Sequence, residues 1–192
     1  MADVPSAPGA EEAVVRGARL AVDVGSVRVG LAGSDPDGLI ATPVATLARA
    51  TAKKGRLPAD LAQVVHEVQE RRVGVVYVGL PMHLSGAEGA ASGAARAYAV
   101  QLAQAVAPIP VRLVDERMST VSAHQALHAS GRSGRSHRQV VDQAAAVVIL
   151  QSALDAERAT GRRPGERVAV DPAQHAPVAR GGAAGDARTT VE

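Results

Sequence analysis

The stretch LAVDVGSVRVGLAGSD, residues 20–35, holds two short valine-rich runs separated by one serine and leads into the turn signal DPDG at 35–38. Runs of this length bounded by Gly, Pro and Asp read as strands, and such a turn returns the chain beside the strand it left. Residues 20–25, 27–34 and 39 to about 47 are therefore expected to open the domain as three antiparallel strands. Within the first of them lies a carboxylate, Asp23. An ionised group in an otherwise buried strand costs several kcal/mol unless an opposite charge compensates it. Some other part of the chain must bring that compensation.

Downstream the period changes. In ADLAQVVHEVQERR, 59–72, Leu61, Val64, Val65 and Val68 follow helical spacing, with Arg71 and Arg72 complementing the C-terminal dipole. GVVYVGLP, 74–81, reads as a strand closed by proline, and an Ala-rich segment over about 87–106 resumes the helical period. VRLV at 111–114 is a further strand. It is followed by DERMST, a short helix near 121–129, the loop GRSGRSHR at 131–138 and a last helix over about 138–158. The order βββαβαβα predicts an α/β domain: a mixed five-stranded sheet, its first three strands antiparallel and its later ones parallel, flanked by helices. No internal repeat is present. Ligands of such sheets sit where strands deliver their carboxyl ends into a crevice.

The chain of 192 residues accommodates one such domain, at 18–158, between expected disordered tails at 1–17 and 159–192, which are rich in Ala, Pro and Gly. Its core has to be aliphatic, because Phe and Trp are absent and Tyr occurs twice. The absence of Cys excludes disulfides, thiol nucleophiles and Cys-ligated zinc, so a metal would be held by oxygen or His. No signal-like or membrane-spanning run is found, and a soluble, cytoplasmic protein that does not engage membranes is expected. A net charge of +2 does not describe a polycation that coats nucleic acid, so local clusters decide the partner.

Three acids on three elements stand out. Alternation puts Leu20, Val22 and Val24 on one face of the first strand and Ala21, Asp23 and Gly25 on the other, with small neighbours beside the carboxylate. A plain Asp-x-Gly turn signal is the bland alternative. After 111–114, Asp115 and Glu116 point in opposite directions, so only one of them faces a common site, although solvated loop acids are frequent here. In VVDQAAAVVILQSAL, steps of three and four from Asp142 reach Ala145, Ala146, Ile149 and Leu150, which places this acid on the apolar stripe of its helix. Three converging carboxylates repel unless cations sit between them, and Mg²⁺ or Mn²⁺ are the natural oxygen-bound counter-charges. Such a centre supports in-line hydrolysis of a phosphodiester.

Four blocks, VDVGSVRVGLAGSD, VYVGLPMHLSG, LVDERMST and VVDQAAAVVILQ, in this order and spanning about 19–155, resemble the YqgF/RuvX-type family of pre-16S rRNA nucleases, also described as Holliday-junction resolvase-like. The resemblance implies an RNase H-like fold and catalytic, metal-binding acids at Asp23, Glu116 and Asp142. It further implies a metal-dependent nuclease that processes the 5′ end of pre-16S rRNA, with structured RNA or branched DNA as substrate. This chain departs from the family pattern at His83 and Ser85, where Asn and Asp are frequent, and at Gln143, where a small hydroxyl residue is common.

Around the acids, Arg28 beside the first turn, the basic loop residues Arg132, Arg135 and Arg138, and His83 are candidate substrate contacts; the bland readings are solvated charges on a strand and a connector. Ser119 or Thr120 is expected to cap the short helix or to support the acids. With few aromatics, recognition is expected to run through backbone shape and charge, with a partner such as a ribosomal particle adding specificity, in a monomer or homodimer. Competing readings are a resolvase of branched DNA, an ATPase using DVGSVRVG as a phosphate hairpin, for which a second domain would be needed, and a ribosome-associated binding module with a vestigial site.

Overall fold

The computed structural model describes residues 13–51, 56–83, 85–116 and 135–170, with side chains from residue 144 onward in the last of these. The elements are β1 (Ala18–Val24), β2 (Arg28–Ser34), β3 (Ala41–Ala48), α1 (Ala59–Glu70), β4 (Val73–Leu80), α2 (Ala90–Val106), β5 (Val111–Asp115), α3 (Arg135–Thr160) and β6 (Glu166–Arg167). Among the described residues they build one sheet in the order β3-β2-β1-β4-β5-β6. β1, β2 and β3 are antiparallel neighbours, β1, β4 and β5 run parallel, and β6 returns antiparallel along β5. The turn at 35–38 forms around Asp35, whose carboxylate accepts the N–H groups of Asp37, Leu39 and Ile40, while Gly38 takes the left-handed conformation at φ +68°.

The sheet has six strands where the sequence pattern predicts five. β6 falls in the stretch from 159 that composition assigns to a tail, and residues up to 170 lie within the described structure. Two charged residues carry no hydrophobic period, so nothing local announces them. The strand is held by tertiary bonds: Val168 N–H donates to the Val111 carbonyl at 2.9 Å, and the Arg112 guanidinium donates to the carbonyls of Pro164 at 2.8 Å and Gly165 at 2.6 Å. At the other end Ala13 bridges Arg162, within the stretch expected to be an N-terminal tail. α3 begins at Arg135, inside the expected loop at 131–138, and α2 begins at Ala90. The expected helix near 121–129 lies outside the described residues.

Strand alternation separates two apolar layers. Leu20, Val22, Val29, Leu31, Val76 and Val78 pack beneath α1 and α2, which contribute Leu61, Val64, Val68, Tyr98 and Leu102. The opposite face presents Ala21, Ala32, Val75 and Tyr77 to Ala146, Ile149, Leu150, Ala153 and Leu154 of α3. Alanine on both surfaces lets this helix approach closely.

The helix is locked in place by a charge pair. Glu157 of α3 and Arg19 of β1 have side chains only 3% and 4% exposed. Arg19 Nε and Nη2 donate to Glu157 Oε2 at 2.9 and 2.7 Å, and Nη1 donates to the carbonyls of Gly17 and Pro36. The Tyr77 hydroxyl donates to Glu157 Oε1, and burial together with that carboxylate pushes the phenol well above its ordinary range. Gln151 adds a second tie by accepting the Ala41 N–H at 3.0 Å. Removing one partner of a buried pair leaves the other charge uncompensated, so Arg19→Met is expected to lose about 3–5 kcal/mol of stability in urea denaturation. Arg16→Ala, which breaks the exposed pair with Asp37, should leave the denaturation midpoint nearly unchanged.

Candidate active site

The parallel register decides which side chains meet. Val22 of β1 pairs with Val78 of β4, and Gly79 pairs with Val114 of β5, so Asp23 comes level with Gly79 and Glu116 follows directly on the end of β5. On the other side of β1, Asp23 pairs with Gly30 of β2. Glycine on both neighbouring strands leaves the space beside the Asp23 carboxylate open. Asp23 shares the face of Ala21, which is the face covered by α3.

Glu116 turns its carboxylate back over Gly79. A Cβ built on Gly79 would run into that carboxylate and come within 2.6 Å of Ile149 Cδ1, so the position accepts no side chain without displacing the acid or the helix. Glu116 Oε1 is shut away from solvent. Burial, then the charge of Asp23, then that of Asp115, push the Glu116 carboxyl up to about 7. The charge of Asp23 thus reaches Glu116 across the ends of β1 and β5. Asp115, one position earlier, also acts on Glu116 through its charge.

Asp142 lies in α3, seven positions before Ile149, about two helical turns toward the N-terminus. Of the positions counted from it, Ala146, Ile149 and Leu150 are buried, whereas Ala145 is half-buried. Its side chain is outside the described ones, and among the described residues no three His, Asp or Glu side chains come together. The strand register thus sets Asp23 and Glu116 at the same end of the sheet.

The remaining candidates separate. Arg28 is half-buried at the start of β2, paired with Ala48, and its carbonyl lies so close to Gly25 that a Cβ there would stand 2.9 Å away. His83 is exposed in the loop that follows β4, its Nε2 resting against Gly89, at the same end of the sheet as Glu116. Arg135 and Arg138 start α3 and do not belong to a loop; their side chains, and Arg132, Ser119 and Thr120 entirely, lie outside the described residues. Sequence reading overlooked Arg49. Its guanidinium sits 5.1 Å over the Tyr98 ring and 3.4 Å from the buried Asp60 carboxylate, and donates to the Gly25 carbonyl in the turn after Asp23. Nothing in its neighbours in sequence signals this, because Tyr98 and Asp60 arrive from two different helices.

A mixed sheet with the inner order β3-β2-β1-β4-β5, acids at the carboxyl ends of β1 and β5 and a long helix laid across them define an RNase H-like domain with an acidic site. The family model described as "RuvX: Holliday junction resolvase" matches residues 17–156, and the chain belongs to that family. It is 51% identical over 156 residues to a Streptomyces avermitilis protein named "Putative pre-16S rRNA nuclease", covering 81% of this chain and 96% of that one. A Kineococcus radiotolerans protein of the same name is 54% identical over 153 residues, covering 80% and 79%. Among solved structures it is similar to T. thermophilus RuvC in complex with Holliday junction substrate, at 16% identity and a TM-score of 0.47, over 77% of this chain and 99% of that one.

Gly79→Ala is expected to leave the fold intact by circular dichroism while displacing Glu116 and greatly reducing any activity that needs both acids. The raised Glu116 carboxyl also carries a sign. The folded state keeps a proton that the unfolded chain releases, so this contribution to stability is complete below about 4.5 and is lost as pH rises through about 7. In chelator-treated protein, Glu116→Gln should therefore exceed the parent by roughly 1–3 kcal/mol at pH 8 and show no gain at pH 4, by urea denaturation at the two pH values.

Proposed function

We propose that this protein is a metal-dependent nuclease that hydrolyses phosphodiesters of structured RNA, with the 5′ end of pre-16S rRNA as its physiological target. The observation that carries the reading is the pair of acids at the ends of two parallel strands: Glu116 folds its carboxylate over Gly79, the residue level with Asp23, and feels the Asp23 charge. Two adjacent carboxylates oppose each other's ionisation, and Glu116 responds to Asp23 in that way. A divalent cation reverses the balance, and an all-oxygen donor set is the chemistry Mg²⁺ or Mn²⁺ prefers. The residues present fit such an ion.

Asp23 and Glu116 would hold it, with Asp142 as the third ligand from α3. The bound ion would supply charge stabilisation at phosphorus and a water acidic enough to attack at neutral pH. The chain does the rest: Gly30 and Gly79 leave room for the phosphodiester, and α3 closes one side against solvent. Arg28 and Arg49, on either side of the first turn, offer positive charge to flanking phosphates. The names of the relatives favour precursor rRNA; the family description favours a branched DNA, which is the second reading.

Purified protein with Mg²⁺ or Mn²⁺ should cleave an RNA carrying the 5′ leader of 16S rRNA, and Asp23→Asn should reduce cleavage to background with the fold retained. Symmetric cutting of a four-way DNA junction with the RNA left whole would select the second reading. RNA binding without cleavage, unaffected by loss of the acids, would leave a binding module. Independently of activity, Mn²⁺ should raise the melting temperature of the parent protein at pH 8 and do so much less in Asp23→Asn, because only a cation bound to the native state stabilises it.

A further inference from the structure

Beside Glu116 the structure holds a cavity of about 180 Å³ that the acid site does not use. Val114, Ile149, Ala153, Ala156 and Pro164 make its apolar walls, Ser152 and Asp115 add polar groups to the lining, and Glu116 belongs to both the cavity and the site. An apolar space of about 150 Å³ accepts a molecule as large as benzene. At about 180 Å³ this one is scaled to one planar heterocycle with a polar edge.

It is also a built feature. One wall is the Pro164–Gly165 segment, fastened by the Arg112 guanidinium to both carbonyls. Gly165 sits at φ +82°, and a Cβ there would strike the Leu113 backbone. On the helical side Ser152, Ala153 and Ala156 are small at positions where larger residues would fill the space. The Pro164–Gly165 wall lies beyond residues 17–156, outside the segment that matches the family model.

We propose that this cavity receives an unpaired nucleobase from the strand whose phosphodiester lies at Asp23 and Glu116. The inference rests on the nuclease reading and adds the part of the substrate that is read. A base next to the cleaved bond is within a residue's reach of the site, and splayed-out bases are held by apolar contact to their faces and hydrogen bonds to their edges. Most nucleic-acid proteins stack such bases on aromatics. This chain has no Phe or Trp, and both tyrosines are buried, Tyr77 with its hydroxyl committed to Glu157. A slot between aliphatic walls takes the place of a stacking platform, and Ser152, Asp115 and Glu116 in its lining are the groups available to the base edge.

The test uses the full chain with Ca²⁺ and single-stranded RNA oligonucleotides carrying one 2-aminopurine at successive positions, with no tryptophan to interfere. Anisotropy of an end label reports binding separately. At one position 2-aminopurine emission should rise severalfold as the base leaves its stack. Ala156→Leu and, as the milder variant, Ser152→Val should remove that rise while changing the anisotropy Kd less than about threefold. Binding by anisotropy with no position-specific rise, or a rise that persists in a folded cavity-filling variant, overturns the proposal. Absence of any anisotropy change overturns the nucleic-acid reading itself, and the base pocket with it.

Discussion

The buried pair between Arg19 and Glu157 sets the position of the long helix, and with it the geometry of the acidic end of the molecule. Glu157 lies near one end of α3, and Ile149, eight residues earlier and about 12 Å along the axis, rests over Gly79. A helix is stiff, so fixing it at Glu157 also fixes the residues beside the acids. A buried ion pair is rarely worth more than a hydrophobic replacement in stability, but it tolerates only one arrangement. Here the second carboxylate oxygen is taken by Tyr77 and the spare guanidinium nitrogen by two carbonyls, so sliding or rotating α3 would strand several buried polar groups at once.

The same smallness that permits close packing creates the site. Ala21 and Ala32 let α3 settle onto the sheet, and Gly30 and Gly79 flank Asp23 where larger residues would close the gap. Glu116 occupies the space above Gly79 at an electrostatic cost, visible in its raised affinity for a proton. A carboxylate near another carboxylate gains most when positive charge arrives, which is the situation the proposed cation would create.

Particular residues show how far the linear pattern reaches. The alternation through Leu20, Val22 and Val24 and the helical steps at Ala146, Ile149 and Leu150 match the observed burial, because each follows from the geometry of a single element, while Ala145 stays half-buried. Family-like blocks led to the same acids. β6 was not legible, since Glu166 and Arg167 have no apolar period and are held by bonds to Val111 and from Arg112. Arg49 was not legible either, because its partners come from Asp60 and Tyr98 on α1 and α2.

By itself the sequence determined the five strands β1 to β5 and the helices α1, α2 and α3, the faces they would bury and the carboxylates standing where apolar residues are expected. Those properties depend on near neighbours and on the period of the backbone. Only the tertiary structure decided that Asp23 and Glu116 share one space, that the chain beyond residue 160 returns to wall a cavity beside them, and that Arg19 finds Glu157 across 138 positions. These depend on parallel strand register and helix docking, which are set by contacts between distant residues and leave no local periodic trace.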